Sequence, residues 1–281
     1  MNSIVQVLKA NIDTEVNRSK MPFWKMLLLG IMAGMFIALG AAGSSVGMHS
    51  IDSVGLSRFV GGCIFPIGLM MIVFIGGELF TGDCLIVLGV MDRKVKVLSA
   101  IRVLITVWFA NLIGAFLVAC LVFLSGQWGY TGGLLGAFTI KVALGKATMS
   151  FPAAFASGIL CNIFVCGAVV MGAAGKDAGG KIWGMFFPIM AFVVSGYEHC
   201  VANMYYIPAG ILALTNDSYK ELAMEKYGYT AEQLSQLNWK TFFVNSSIPV
   251  TLGNIVGGMV FVGVVYYLVN RTAIKEAQKA D

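Results

Sequence analysis

Six stretches of this chain are long and apolar enough to cross a lipid bilayer: residues 26–48, 59–91, 103–126, 150–174, 183–214 and 247–269. A helix needs about 20 mostly apolar residues to traverse a hydrocarbon core of ~30 Å. The expected fold is therefore an all-α membrane protein with six transmembrane helices. Composition agrees: 58% of the 281 residues are hydrophobic and 12% are charged, whereas a soluble domain carries about 25% charged residues. That balance excludes a soluble enzyme, a disordered chain and a nucleic-acid-binding domain. It also leaves no length for a second soluble domain.

Six crossings put both termini on one side. If that side is the cytoplasm, it receives Lys9, Arg18, Lys20, Lys25, Arg93, Lys94, Lys96, Arg102, Lys176, Lys181, Arg271, Lys275 and Lys279, which is 13 of the 19 basic residues. The positive-inside rule selects this orientation, with the chain multi-pass in the cell membrane and both termini cytoplasmic. Residues 1–25 read as an amphipathic cytoplasmic segment, because Ile4, Leu8, Ile12 and Val16 form one stripe and no cleavable signal pattern is present. Residues 26–270 form the six-helix domain and 271–281 a cytoplasmic tail. Residues 133–148, which contain Lys141 and Lys146, are too short and too charged to span, so a short helix is expected there before the fourth crossing. The six cysteines lack CxxC or zinc-ligand spacing, so they read as buried thiols, with no disulfide framework, metal or cofactor.

The second and fifth crossings are interrupted. Each opens with Phe-Pro-Ile, at Phe65 and Phe187, and each breaks at a glycine followed closely by a glutamate, Gly77-Glu78 and Gly196-Tyr197-Glu198. The Phe-to-Glu spacing is 13 in one and 11 in the other. Two further resemblances fall in the same order. The third and sixth crossings share an Asn111-centred and an Asn254-centred glycine run. The first and fourth share Gly30-Ile31 and Gly158-Ile159. Three helices repeated after three helices must have inverted topology, the pattern of channels and transporters whose site lies at the repeat interface.

A polar break in a membrane helix is tolerated where its freed backbone groups line a cavity or are buried in protein. The half-helices after the breaks are expected to start near Cys84, capped by Asp83, and near Cys200. Their N-termini then face each other across the centre, each bringing about half a positive charge. Such a centre attracts small anions and repels cations. Glu78, Asp83, Glu198 and Asn203 are expected to serve the helix breaks structurally, the carboxylates by accepting backbone N–H groups. His199 and Thr81 are the candidate centre residues, because a histidine titrates near neutral pH and a hydroxyl can donate to an oxyanion. Asn111, Asn162 and Asn254 have helix-to-helix bonding as their default role, and Lys146 stands where it can concentrate anions.

These residues resemble the formate/nitrite transporter family, which includes formate, nitrite and hydrosulfide channels. The stretches that carry the resemblance are GGELFTGD from Gly76 to Asp83, GILCN from Gly158 to Asn162, GYEHCVANM from Gly196 to Met204, and IPVTLGNIVGG from Ile248 to Gly258. The resemblance implies an aquaporin-like inverted-repeat fold and a homopentamer in the lipid bilayer, each protomer holding its own pore. It implies that His199 faces Thr81, that Asn162 and Lys146 belong to the pore lining, and that Phe65, Leu69, Leu79 and Phe192 form apolar constrictions. Tyr197 departs from the phenylalanine that family members often carry there. The expected function is passage of the anion of a small weak acid, formate first with nitrite or hydrosulfide as alternatives, with proton exchange at the central histidine. An aquaporin-type pore for water or neutral solutes is the rival, but it calls for two Asn-Pro-Ala motifs. This chain has Ala202-Asn203-Met204 and Gly82-Asp83-Cys84 instead. An intramembrane hydrolase is a weaker rival, since Ser195 lacks a partner motif.

Overall fold

The computed structural model describes residues 1–279, and the described residues form helices and connecting turns without strands. Helix α1 (Ile4–Ser19) precedes the first crossing, α2 (Phe23–Met48). The second crossing is α3 (Val54–Ile75), kinked at Phe65-Pro66, followed after four non-helical residues by the half-helix α4 (Phe80–Met91). Then come α5 (Val97–Leu124), the short α6 (Leu134–Ala147) and α7 (Phe151–Ala174). The fifth crossing divides into α8 (Ala178–Ser195) and α9 (Cys200–Ala213). Two short helices, α10 (Asp217–Tyr227) and α11 (Ala231–Ser235), lead to α12 (Trp239–Lys279), which carries the sixth crossing and runs on past it without a break. The two interrupted crossings and the short helix before the fourth one stand where the sequence places them.

The inverted repeat is visible at atomic contacts. A Cβ built on Gly114 of α5 would lie 2.0 Å from the Ile31 carbonyl oxygen of α2, and one on Gly257 of α12 would lie 2.3 Å from the Ile159 carbonyl oxygen of α7. Each half thus crosses its first and third helices backbone to backbone, as small residues permit in membranes. No side chain fits at either position, which is why the glycine runs recur in both halves.

Helix α1 does not lie free on a membrane surface. Leu8 and Ile12 are fully buried, and with Val7, Asn11 and Glu15 they form the face that packs on the bundle. Leu8 and Ile12 of the stripe read from the sequence are thus buried and Val16 partly so, while Ile4 is exposed and the buried face widens to take in Val7, Asn11 and Glu15. Ser3 caps the helix by accepting from the Gln6 N–H, while the Gln6 side chain accepts from the Ser3 N–H, the reciprocal arrangement that stabilises an isolated helix start.

The crossings predict a stability result. Gly114→Ala and Gly257→Ala should each lower the thermal midpoint of the detergent-solubilised protein, since overpacking costs about 1–3 kcal/mol. Gly55→Ala, where a Cβ meets nothing within 4 Å, should leave it unchanged. Equal midpoints for all three would refute the close-crossing account.

Candidate functional site

Two positive-φ glycines end the first parts of the broken crossings, Gly76 at φ 106° and Gly196 at φ 74°. Only glycine adopts such angles without strain, and each lets the chain leave its helix inside the bundle. The freed backbone groups are then taken up by one asparagine in each half. Asn111 accepts the Phe80 N–H through Oδ1 (2.9 Å) and donates through Nδ2 to the carbonyls of Gly30 (2.7 Å) and Glu78 (2.9 Å). Asn254 accepts the Cys200 N–H (2.9 Å) and donates to the carbonyls of Gly158 (2.7 Å) and Glu198 (3.1 Å). Each amide is fully buried and ties the first helix, the break and the half-helix of its repeat together.

The half-helices meet at their N-termini. Helix α9 starts at Cys200 with His199 as its cap, and α4 starts at Phe80 with Leu79 in the same place. Asp83 is consequently inside the first turn of α4, and it does not cap the helix as the sequence suggested. His199 Nδ1 accepts the Ala202 N–H at 3.0 Å, and Nε2 lies 2.9 Å from Thr81 Oγ1. Because Nδ1 is occupied as an acceptor, the proton of the neutral ring sits on Nε2 and is donated to Thr81. The Thr81 hydroxyl then has its own proton to offer to a third group. The Thr81 carbonyl is held from behind by Asn162 Nδ2 (3.1 Å) and by the Cys166 thiol (3.3 Å). Asn162 also donates to the Asn254 carbonyl at 2.6 Å, so both of its amide hydrogens are committed to the backbone around the centre.

Charges stand on either side of this centre. Toward the end away from the termini, Lys146 Nζ donates to Glu198 Oε1 at 2.8 Å, and Asn203 Nδ2 donates to Glu198 Oε2 at 2.6 Å and to Ser246 Oγ at 2.9 Å. Toward the termini, Arg18 of α1 reaches into the bundle. Its guanidinium pairs with Glu78 and Glu15 and lies 3.3 Å from Asp83 Oδ1. The three intramembrane carboxylates therefore meet cations and a side-chain amide, in place of the backbone N–H groups expected from the sequence. Burial pushes the Glu15 carboxyl up from its usual range, against the opposite pull of Arg18. Arg18 was not legible as a site residue, since in the sequence it is one more basic residue of an amphipathic segment. Its one local signal is Glu15 three residues earlier, on the same helix face.

Between Lys146 and the centre lies a chamber of about 110 Å³, lined by Lys146, Tyr206, Phe65, Phe192 and His199 among others. The Phe65 and Phe192 rings meet edge to face with centroids 5.6 Å apart, and Phe192 stacks on the His199 ring at 6.0 Å. Leu69 lies about one turn further along α3, and Leu79 occupies the cap position of α4; all four apolar side chains are buried. Lys146 Nζ also sits 5.3 Å from the centre of the Tyr206 ring, a contact for which the sequence offered no sign. On the side away from the termini the chamber adjoins a wider vestibule of about 410 Å³, with which it shares lining at Met48, Phe138, Val142 and Lys146.

Comparison with known proteins follows the same lines. The chain is 38% identical over 268 residues to a probable formate transporter of Methanothermobacter thermautotrophicus, covering 89% of this chain and 90% of that one. It is 36% identical to the formate channel FocA of Haemophilus influenzae, over 90% and 89% of the two chains. Among solved structures, a pentameric formate channel with formate bound superposes with a TM-score of 0.77 at 34% identity, covering 88% of this chain and 97% of that one. The sequence profile described as formate/nitrite transporter matches residues 5–268. With that match running from α1 to the sixth crossing, the chain belongs to the formate/nitrite transporter family.

Proposed function

We propose that this protein is a channel for the anions of small weak acids, with formate as the first substrate and nitrite or hydrosulfide as alternatives. The observation that carries the reading is the meeting of the two half-helix N-termini at Thr81 and His199, 2.9 Å apart. Two such ends bring about one positive charge to a water-poor centre without any side-chain cation. Kinship with formate channels supports formate in particular. The pentameric assembly of the superposing formate channel supports a homopentamer, and the concentration of basic residues on the side of the termini supports cytoplasmic termini in the cell membrane.

Permeation then proceeds in three stages. Lys146, held by Glu198, draws the anion to the outer chamber. The Phe65–Phe192 pair excludes bare charge, because an unpaired anion in an apolar ring costs many kcal/mol. In the chamber, which His199 itself lines, proton transfer to the anion gives the neutral acid, which passes the phenyl pair, meets the Thr81 hydroxyl, slips past Leu69 and Leu79 and returns its proton to water on the far side. If His199 supplies that proton, Nδ1 has to exchange its Ala202 N–H bond for a proton of its own, so its protonation and the first turn of α9 are linked.

Proteoliposomes should pass formate faster than sodium, potassium or glycerol, read by stopped-flow swelling and internal pH. Glycerol flux equal to formate flux would overturn the anion reading and favour a neutral-solute pore. Phe192→Ala and Phe65→Ala should raise flux and weaken size discrimination between formate and larger carboxylates, since apolar constrictions gate by excluding water and charge. Unchanged flux and selectivity in intact pentamers would place the gate elsewhere. His199→Asn keeps a polar group of similar size but removes the titratable ring. The wild-type flux is expected to rise as pH falls, and the variant to lose or reshape that dependence. An unaltered profile in a stable pentamer would exclude proton exchange at His199.

A further inference from the structure

The outer vestibule carries more positive charge than the pore beneath it engages. Arg58, Lys141, Lys146 and Lys226 line its cavity of about 410 Å³, together with two carboxylates, Asp52 and Glu198. Glu198 is committed to Lys146. Among the described residues Arg58, Lys141 and Lys226 form no ion pair. They come from three separate elements, α3, α6 and α10, so cations face the cavity from several sides. The Arg58 guanidinium lies within 4 Å of where a Gly196 side chain would begin, at the second helix break. Lys141 Nζ lies 4.6 Å from the centre of the Tyr227 ring, whose face steadies the ammonium beside the cavity.

Charge and size are therefore tested in series. The vestibule favours negative charge, and the next chamber, of about 110 Å³, is narrowed by the Phe65–Phe192 pair beside His199. A compact monovalent anion meets both conditions. A tetrahedral divalent oxyanion matches the unpaired cations better, yet it is bulkier and costs far more to strip of water at a phenyl gate. We infer that the outer vestibule is a binding site for small divalent oxyanions of the sulfate and hydrogen phosphate class, which occupy it without passing and compete with the permeant anion for entry. The inference rests on the anion-channel reading given above.

Formate influx is measured in oriented membrane vesicles, with sodium sulfate added on the vestibule face or on the opposite face. Ionic strength is held constant with gluconate, and each variant is compared with its own sulfate-free flux. Sulfate on the vestibule face should inhibit competitively. Lys141→Gln, Lys226→Gln and Arg58→Gln should each raise the half-inhibitory concentration by roughly threefold to tenfold at low ionic strength, the size expected for removing one charge several ångströms from a dianion. The triple variant should be nearly insensitive, and the single variants keep the test valid if the triple does not assemble. Sulfate acting no more strongly than gluconate, acting equally from both faces, or inhibiting all variants alike would overturn the inference. Absence of formate influx in the wild type without sulfate would instead overturn the channel reading itself.

Discussion

A helix interrupted inside a bilayer leaves backbone N–H and C=O groups that lipid cannot satisfy, and the rest of this structure follows from how that debt is settled. Asn111 and Asn254 each make three hydrogen bonds, joining the first helix of a repeat to its break and to the start of its half-helix. Removing either amide would leave buried polar groups without partners in a low-dielectric setting, where each costs about 1–3 kcal/mol. The glycine crossings at Gly114 and Gly257 bring the helices close enough for those amides to reach. Geometry at the pore centre is thus set by residues that never face the pore.

The backbone is nearly symmetric between the halves, and the side chains at the centre are not. Leu79 stands where its partner half has His199, and Asp83 where it has Asn203. One half therefore contributes an apolar cap and the other a titratable ring that caps its own helix and reaches Thr81. The flanking cations are equally unlike in origin. Lys146 comes from the helix that links the two repeats, whereas Arg18 comes from α1, outside both of them. Inverted topology supplies the paired dipoles, and departures from symmetry supply the chemistry.

Much of the architecture was legible because bilayer physics narrows the choices. Length and hydropathy of the apolar runs yielded six crossings, and the Gly-Glu interruptions located the broken second and fifth ones. The half-helix start was misplaced by four residues in the first repeat. Cys84 looks like the beginning of an apolar run, but the helix already begins at Phe80, where Asn111 accepts the first N–H. The carboxylates were read as backbone acceptors because a sequence shows which polar groups sit near a break and not which cation arrives from elsewhere. Arg18 lies sixty positions from its partner Glu78, and nothing local to either one signals the pair.

By itself, then, the sequence determined the membrane-spanning class, the duplicated three-helix plan and the identity of the residues at the breaks, because each depends on local composition and spacing. Tertiary structure alone decided that His199 offers its Nε2 proton to Thr81, that Asn162 spends both amide hydrogens on backbone, and that α1 inserts Arg18 among three carboxylates. Apart from the Arg18–Glu15 pair, which lies within one helix turn, these are matters of which atom faces which across more than fifty residues of chain. Local pattern carries no record of them, because they are settled when the two halves pack against each other and the freed backbone groups find their partners.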